Sequence, residues 1–189
     1  MSLLDWGWSS AWSERFETHA AAGLAPARVA EGSRGIYELE TARGRVRGEL
    51  SGRLEYAADS ALDLPAAGDW VAVTETDPAL MIAVVERNTL LTRVEEGGSR
   101  QGLAANLDVL FLVNGLDGDW NVRRMDRYLA LAREAGIRPV IVLNKRDLCA
   151  DPERRLALAS ACAPAVLLQA EQDDVAAVLG GFLRPGETG

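Results

Sequence analysis

Lysine, cysteine and histidine are scarce in this sequence of 189 residues, and each scarcity excludes a class of protein. The only cysteines are Cys149 and Cys162, and the only histidine is His19. A disulfide framework needs more cysteines than two, and a structural zinc site needs about four Cys or His ligands. We therefore expect no metal site in this chain, two free thiols and a reducing, cytoplasmic environment.

Long apolar runs are also missing. No segment approaches the roughly 20 apolar residues of a membrane span, and the N-terminus has neither the basic flank nor the apolar stretch of a signal peptide. The sequence therefore predicts no membrane partner. Its net charge of −8 argues against a broadly phosphate-clamping surface, because non-specific nucleic-acid affinity comes from many cationic contacts. Any RNA contact is expected to be local.

The shortage of lysine bears on nucleotide chemistry. Lys145 is the single lysine among 20 basic residues. A phosphate-binding loop of the form Gly-x4-Gly-Lys-Ser/Thr needs a lysine that reaches the β and γ phosphates, and no such sequence is present. The magnesium-side switch motif Asp-x-x-Gly is absent as well. We therefore expect no catalytic residue in this chain.

What is present begins with a helix and a set of short strands. Within residues 1–24, the segment 12–22 follows Ser9 and Ser10 as helix caps and ends at Gly23, which predicts a short leading helix. Residues 25–94 hold five β-type stretches broken by Gly and Pro, at 27–31, 35–41, 45–51, 69–75 and 80–87. Five closely spaced strands predict a small β-barrel of the OB-fold type. Trp70 is expected to fill its core.

The rest of the chain has a different pattern. Residues 95–102 are rich in Gly and charge and predict a linker. Residues 103–189 alternate between apolar and amphipathic segments, which predicts strands at 107–113, 139–143 and 165–168 and helices at 121–135, 153–162 and 171–183. A β-α-β arrangement forces a parallel sheet. The predicted fold is therefore an OB-type barrel followed by an α/β unit.

The tetrapeptide Asn144-Lys145-Arg146-Asp147 directly follows the second predicted strand of the α/β unit, where open α/β sheets bind ligands. The Asp147 carboxylate can accept hydrogen bonds from N1 and the exocyclic N2 of guanine. Adenine has an acceptor at N1 and no N2 amine, so such a site discriminates between the bases. Asn144 can bridge the base and a neighbouring loop, and the stem of Lys145 can lie along the purine face. The alternative is a polar turn after a buried strand.

Three arginines form a local basic feature in the barrel region. Arg43, Arg45 and Arg47 alternate, so in an extended strand their side chains share one face. With Arg53, Tyr37 and Tyr56 nearby, this face suits RNA phosphates and stacking on bases. The alternative is a solvated outer face of a strand.

Several segments in the same order resemble the ribosome small-subunit-dependent GTPase family. They are Gly68–Val71, Glu86–Arg93, Leu103–Val113, Asn121–Leu129 and Arg138–Leu148. The resemblance covers about residues 25–189. It implies a circularly permuted GTPase, in which the guanine-reading half precedes the phosphate-binding loop. It also implies an N-terminal OB domain that grips the small ribosomal subunit and its rRNA.

Within that family, Asn144, Lys145 and Asp147 match the base-specificity motif. The next family motif reads Ser-Ala and contacts the guanine carbonyl through backbone N–H groups; here Gln169-Ala170 stands at that position, without the serine. The resemblance further implies GTP and GDP as ligands, Mg²⁺ in the complete GTPase domain, Zn²⁺ in a C-terminal domain, and a monomeric full-length protein.

The family's phosphate loop would begin a few residues after Gly189, so residues 103–189 are expected to be the first part of the permuted GTPase domain. The function implied is ribosome-stimulated GTP hydrolysis in late maturation of the small subunit, with no hydrolysis by this chain alone. The alternative is a non-catalytic RNA-binding assembly module built on the OB domain. An unrelated doubly wound enzyme is disfavoured because no Gly-x-Gly-x-x-Gly follows the strand at 107–113.

Overall fold

The computed structural model describes residues 2–33, 35–94, 97–118 and 120–189, apart from the side chain of Ser33. The chain divides into two compact units, Met1–Leu107 and Asp108–Gly189. In the described ranges, no helix is both long and apolar enough to cross a membrane.

The first unit is a leading helix followed by a closed five-stranded barrel. Helix α1 (Ser10–Ala21) comes first, and the barrel strands are β1 (Ala25–Ser33), β2 (Ile36–Thr41), β3 (Gly44–Leu50), β4 (Trp70–Val73) and β5 (Ala79–Val84). Their order around the barrel is β1-β2-β3-β5-β4, which confirms the OB-type prediction. Helix α2 (Gly52–Ala57), between β3 and β4, was not predicted; it begins after Ser51, whose hydroxyl accepts a hydrogen bond from Leu54 N–H at 3.2 Å.

The barrel has one core inside and a second apolar cluster on its outer wall. Val71 is buried in the interior core, whereas its neighbour Trp70 packs outside, against Trp12 and Phe16 of α1. The expectation that Trp70 fills the barrel core was therefore wrong. Successive side chains of a strand point to opposite faces, so a fully buried Trp70 requires the leading helix as its cover.

A hairpin replaces most of the predicted linker. Strand β6 (Leu90–Val94) pairs antiparallel with β7 (Arg100–Ala105), and both belong to the first unit. Of the predicted linker 95–102, Glu95 and Glu96 lie outside the described residues, while residues 100–102 are paired in β7. Gly97 and Gly98, which follow Glu95 and Glu96, both adopt positive φ, at 111° and 86°, as glycine readily does in a turn.

The second unit is an α/β layer with a parallel sheet. Its elements in chain order are β8 (Val109–Gly115), α3 (Val122–Glu134), β9 (Arg138–Asn144), α4 (Pro152–Ser160), β10 (Ala165–Leu167) and α5 (Val175–Gly180). The strand order is β10-β9-β8, all parallel, as predicted. Helix α5 is shorter than the predicted 171–183, since Asp174 caps its start by accepting from Ala177 N–H. The buried cluster of this unit includes Leu112, Met125, Leu129, Ile141 and Leu143.

Candidate base-reading site

The tetrapeptide lies at the carboxyl end of the central strand of the parallel sheet. Asn144 is the last residue of β9, and Lys145 adopts the left-handed conformation with φ 61° and ψ 45°. The chain then enters a 3-10 turn, Arg146–Leu148, that carries Asp147. This reversal takes the chain out of the sheet within one residue. It leaves Asp147 exposed to solvent at the sheet's edge.

The amide side chain of Asn144 joins two loops. Its Oδ1 accepts hydrogen bonds from Lys145 N–H at 2.8 Å and from Ala170 N–H at 3.0 Å. Just before Ala170, Leu168 N–H donates to Leu143 O at 2.8 Å and extends the β9–β10 pairing by one residue. The loop after β10 is thereby placed beside the tetrapeptide, so the sequence-predicted residues Asn144, Gln169 and Ala170 come together.

An ion pair forms a second link between these loops. The Arg146 guanidinium donates to Asp173 Oδ1 at 2.9 Å, and the other carboxylate oxygen, Oδ2, accepts from Gln169 N–H at 2.7 Å. Sequence reasoning gave Arg146 no role of its own and missed Asp173. Asp173 follows Gln169 by four residues in a polar stretch, and nothing in a single sequence distinguishes it from its neighbours Glu171 and Asp174.

A third loop contributes Asp117, which sequence reasoning also missed. It lies after β8, and its Oδ2 pairs with Lys145 Nζ. Asp117 and Lys145 are partly exposed, with 29% and 49% of their side chains accessible. Three loops that follow β8, β9 and β10 therefore meet at one edge of the sheet. Parallel strands bring their carboxyl ends to the same edge, which is why this convergence follows from the fold.

Contrary to the sequence prediction, the structure does not place the three arginines on one strand face. Only Arg45 and Arg47 lie in β3; Arg43 lies in the turn before it, so the three do not form one strand face. Across the ladder, Arg45 stands opposite Glu40 and Arg47 opposite Glu38.

The first of these pairs is a tight contact. Glu40 is buried, with 8% of its side chain exposed, and accepts from Arg45 Nε at 2.6 Å. Arg43 pairs with Glu75 at 2.6 Å. Each of the three arginines therefore contacts a glutamate or stands opposite one in the ladder.

Tyr37, which was considered for base stacking, belongs to the barrel core. It is 7% exposed, and burial, followed by the nearby Asp69 carboxylate, raises the pKa of its phenol above the usual value of 10.0. Its ring is therefore unavailable to a ligand at the barrel surface. Tyr56, the other tyrosine that was considered for stacking, is 94% exposed.

The closed barrel and the parallel sheet define the fold class as an OB-type barrel followed by an α/β unit. The fold is similar to YjeQ from Thermotoga maritima, with a TM-score of 0.63 and 23% identity over 85% of this chain and 57% of that one. It is also similar to YloQ, described as a circularly permuted GTPase, with a TM-score of 0.59 and 16% identity over the same shares. These likenesses establish the fold.

Sequence comparison establishes the family. The RsgA GTPase family model matches residues 84–182, and the chain belongs to this family. Relatives named small ribosomal subunit biogenesis GTPase RsgA include one from Opitutus terrae, 38% identical over 100% of this chain and 56% of the relative. Another, from Syntrophotalea carbinolica, is 35% identical over 100% of this chain and 55% of the relative. The chain spans about half the length of these curated relatives.

Proposed function

We propose that this chain supplies the guanine-reading site and the ribosome-binding domain of a GTPase that acts in maturation of the small ribosomal subunit. The observation that carries the proposal is the hydrogen bond from Ala170 N–H to Asn144 Oδ1, which assembles the two predicted base-contacting loops. Support also comes from the family, whose named relatives are small-subunit biogenesis GTPases.

In this proposal Asp147 distinguishes guanine from adenine. Its carboxylate is exposed at the mouth of the site and can accept hydrogen bonds from the N1 and N2 donors of guanine. The stem of Lys145 covers a face of the purine while its ammonium is directed to Asp117. Before the base binds, Asn144 holds the loop that carries the Gln169 and Ala170 amides.

The residues of this chain that fit GTP are the ones that would contact its guanine base, and not its phosphates. Phosphoryl transfer depends on a loop, a lysine and Mg²⁺ that position the phosphates and neutralise their charge. The one lysine of this chain is part of the base site, and the sequence has no Gly-x4-Gly-Lys-Ser/Thr or Asp-x-x-Gly motif for the phosphates and magnesium. The zinc implied for a C-terminal family domain has no ligand set among two cysteines and one histidine. We infer that the 189 residues bind the base and do not hydrolyse GTP alone.

The barrel is the proposed ribosome contact. Arg43 and Arg47 are exposed on the first unit, and an exposed ion pair such as Arg43–Glu75 contributes only about 0–1 kcal/mol, so it can be exchanged for an rRNA phosphate. A non-catalytic RNA-binding assembly module is the second candidate. It is favoured by the same barrel if the base site proves not to distinguish guanine.

Nucleotide binding by the purified chain tests the proposal. Titration with GTP and ATP, followed by NMR shifts of the amides of Asn144 and Ala170, should show selective GTP binding. The selectivity should disappear in Asp147→Ala and persist in Glu171→Ala, which removes one exposed carboxylate from the loop after β10. Equal binding of GTP and ATP by the unmodified chain would reject guanine recognition and leave the assembly module.

A further inference from the structure

The hydrogen-bond pattern of the loop after β10 assigns different tasks to its two backbone donors. Gln169 N–H donates to Asp173 Oδ2 at 2.7 Å, and Ala170 N–H donates to Asn144 Oδ1 at 3.0 Å. Both amides that the family resemblance offers to the guanine carbonyl therefore already have acceptors within the chain. A bound base has to replace one of these acceptors.

The two acceptors differ in how firmly they are held. Asp173 bonds to Gln169 and, through its other oxygen, to Arg146 at 2.9 Å. Its side chain is 21% exposed and that of Arg146 41%. Charge-assisted hydrogen bonds of this kind are roughly twice as strong as neutral ones. Asn144 is a neutral amide acceptor at the mouth of the site, so its bond to Ala170 is the one that a base carbonyl can replace.

We propose that Arg146 and Asp173 are a positioning pair, which fixes Gln169 N–H so that Ala170 N–H is the donor presented to the 6-carbonyl of guanine. The inference rests on the proposed guanine site and assigns a role to the variable residue of the Asn-Lys-x-Asp tetrapeptide. It also accounts for Gln169 where the family motif has serine. Gln169 N–H is held by a carboxylate four residues onward, a contact that does not depend on the side chain at position 169.

The pair connects the loops directly. Arg146 lies between the base-specificity residues Lys145 and Asp147, and its backbone N–H contacts Leu168 O at 3.4 Å. The same residue thus reaches the loop after β10 through its backbone and its side chain. Loss of the side-chain contact is expected to leave Ala170 less well placed, because a donor must lie within about 3 Å of its acceptor to bind it well.

The test compares nucleotides that share or lack the 6-carbonyl. GMP and IMP both carry it and differ in the 2-amino group, whereas AMP carries neither. Dissociation constants for the three are measured by NMR titration of the 189-residue chain and of Asp173→Ala, Arg146→Ala, the double variant and Glu171→Ala. Glu171→Ala is the matched control, since it removes the same charge from an exposed residue of the same loop.

Asp173→Ala is expected to weaken GMP and IMP by about tenfold each, leaving their ratio and the AMP value unchanged, which corresponds to the loss of one well-formed hydrogen bond. The double variant should be no weaker than Asp173→Ala, because residues that act as a unit are non-additive. Asp147→Ala should instead remove the preference for GMP over IMP. Amide exchange of Gln169 should accelerate in Asp173→Ala and remain slow in Glu171→Ala.

The possible results distinguish failure of the positioning role from failure of guanine recognition. If the unmodified chain prefers GMP to AMP but Asp173→Ala binds GMP within twofold of it, the positioning role is overturned and guanine recognition stands. A loss of the GMP-to-IMP preference in Asp173→Ala also overturns it, since the pair would then act on Asp147. Should the unmodified chain bind GMP and AMP equally, guanine recognition fails and the positioning role fails with it. If Asp173→Ala folds poorly, Asp173→Asn takes its place, because the asparagine oxygen remains a neutral acceptor for Gln169 N–H. Its dissociation constants for GMP and IMP should lie between those of the unmodified chain and the values expected after the loss of about tenfold.

Discussion

Arg87 and Asp69 form a bidentate ion pair inside the first unit, with Nε to Oδ1 at 2.8 Å and a terminal guanidinium nitrogen to Oδ2 at 2.6 Å. The Asp69 side chain is fully buried and that of Arg87 is 17% exposed. Arg87 also donates to the carbonyl of Leu64 at 2.7 Å, and Asp69 accepts from Ala66 N–H at 2.8 Å. The pair therefore ties the segment before β4 to the chain that leaves the barrel after β5.

Removing one partner of this pair should strongly destabilise the first unit. Arg87→Ala leaves the Asp69 carboxylate buried without its cation, a change that costs about 3–5 kcal/mol in comparable buried pairs. Urea unfolding followed by tryptophan fluorescence measures the loss. Arg43→Ala breaks an exposed pair, and its expected cost is below about 1 kcal/mol. Similar losses in both variants would contradict a special role for the buried pair.

The approach of Gly68 to β7 gives a second prediction. Gly68 has φ +88°, and a Cβ there would lie 2.2 Å from the carbonyl oxygen of Ala105. Gly35 has a similar φ of +83° with nothing within 4 Å. Gly35→Ala should therefore cost only the left-handed backbone penalty of about 1–2 kcal/mol, and Gly68→Ala should cost clearly more. Matched thermal denaturation of the two variants decides, and equal melting temperatures would refute the steric contribution.

Charge reversal on the barrel tests the proposed ribosome contact. The double variant Arg43→Glu, Arg47→Glu should weaken co-sedimentation with the small subunit several-fold and reduce its salt dependence, since each lost phosphate contact removes about 0.7–0.9 from the slope of log K against log salt. Arg45 is omitted because it is bound to the buried Glu40. The control is the double variant Arg123→Glu, Arg127→Glu, which changes the net charge by the same amount at two exposed positions of α3.

The α3 variant should retain binding to the small subunit. If the two double variants lose binding to the same extent, the effect comes from net charge and not from a site on the barrel. Full binding by the barrel variant would remove these arginines from the ribosome contact.

The pH dependence of stability should include a contribution from Glu187. Its pKa is lowered from 4.5, chiefly by the hydrogen bond from Arg184 N–H and also by Arg138, whose guanidinium lies 2.5 Å from it. A depressed carboxyl pKa contributes stability that is present above the unfolded value and lost as pH falls through the folded value. The unmodified chain should therefore melt higher than Glu187→Gln near pH 6. The difference should shrink as the pH falls below about 4, and a constant difference from pH 7 to pH 3 would contradict this assignment.

Periodicity predicted most of the architecture, since strands and helices of the second unit follow from apolar spacing in the sequence. The packing of a helix over the outer wall of the barrel was harder to predict. A tryptophan in a predicted strand indicates a position in the barrel core, and only the three-dimensional structure shows that Trp70 faces outward under α1. The Gly-rich segment before β7 gave a linker prediction because glycine marks a tight turn and a linker alike.

The candidate base site could be proposed from the sequence where it depends on consecutive residues. Asn144 to Asp147 carry their own chemical pattern and follow a recognisable strand. Asp117 and Asp173 join the site through loops 28 and 27 residues away from their partners Lys145 and Arg146. Pairing over such separations depends on which strands are neighbours, and this information is not contained in local spacing.

Strand β8 provides the last prediction, because it forms an edge of the parallel sheet in the described part of the second unit. Val113, near its carboxyl end, is 60% exposed. An exposed apolar edge strand is a template for pairing with another chain, so the purified chain should self-associate as concentration rises. Val113→Lys should reduce this association in size-exclusion chromatography with light scattering, since charge on an edge strand opposes pairing. Val122→Lys places the same charge at a residue that is 50% exposed on α3. It should leave the association unchanged, and an equal reduction by both variants would show that added charge, and not the sheet edge, controls solubility.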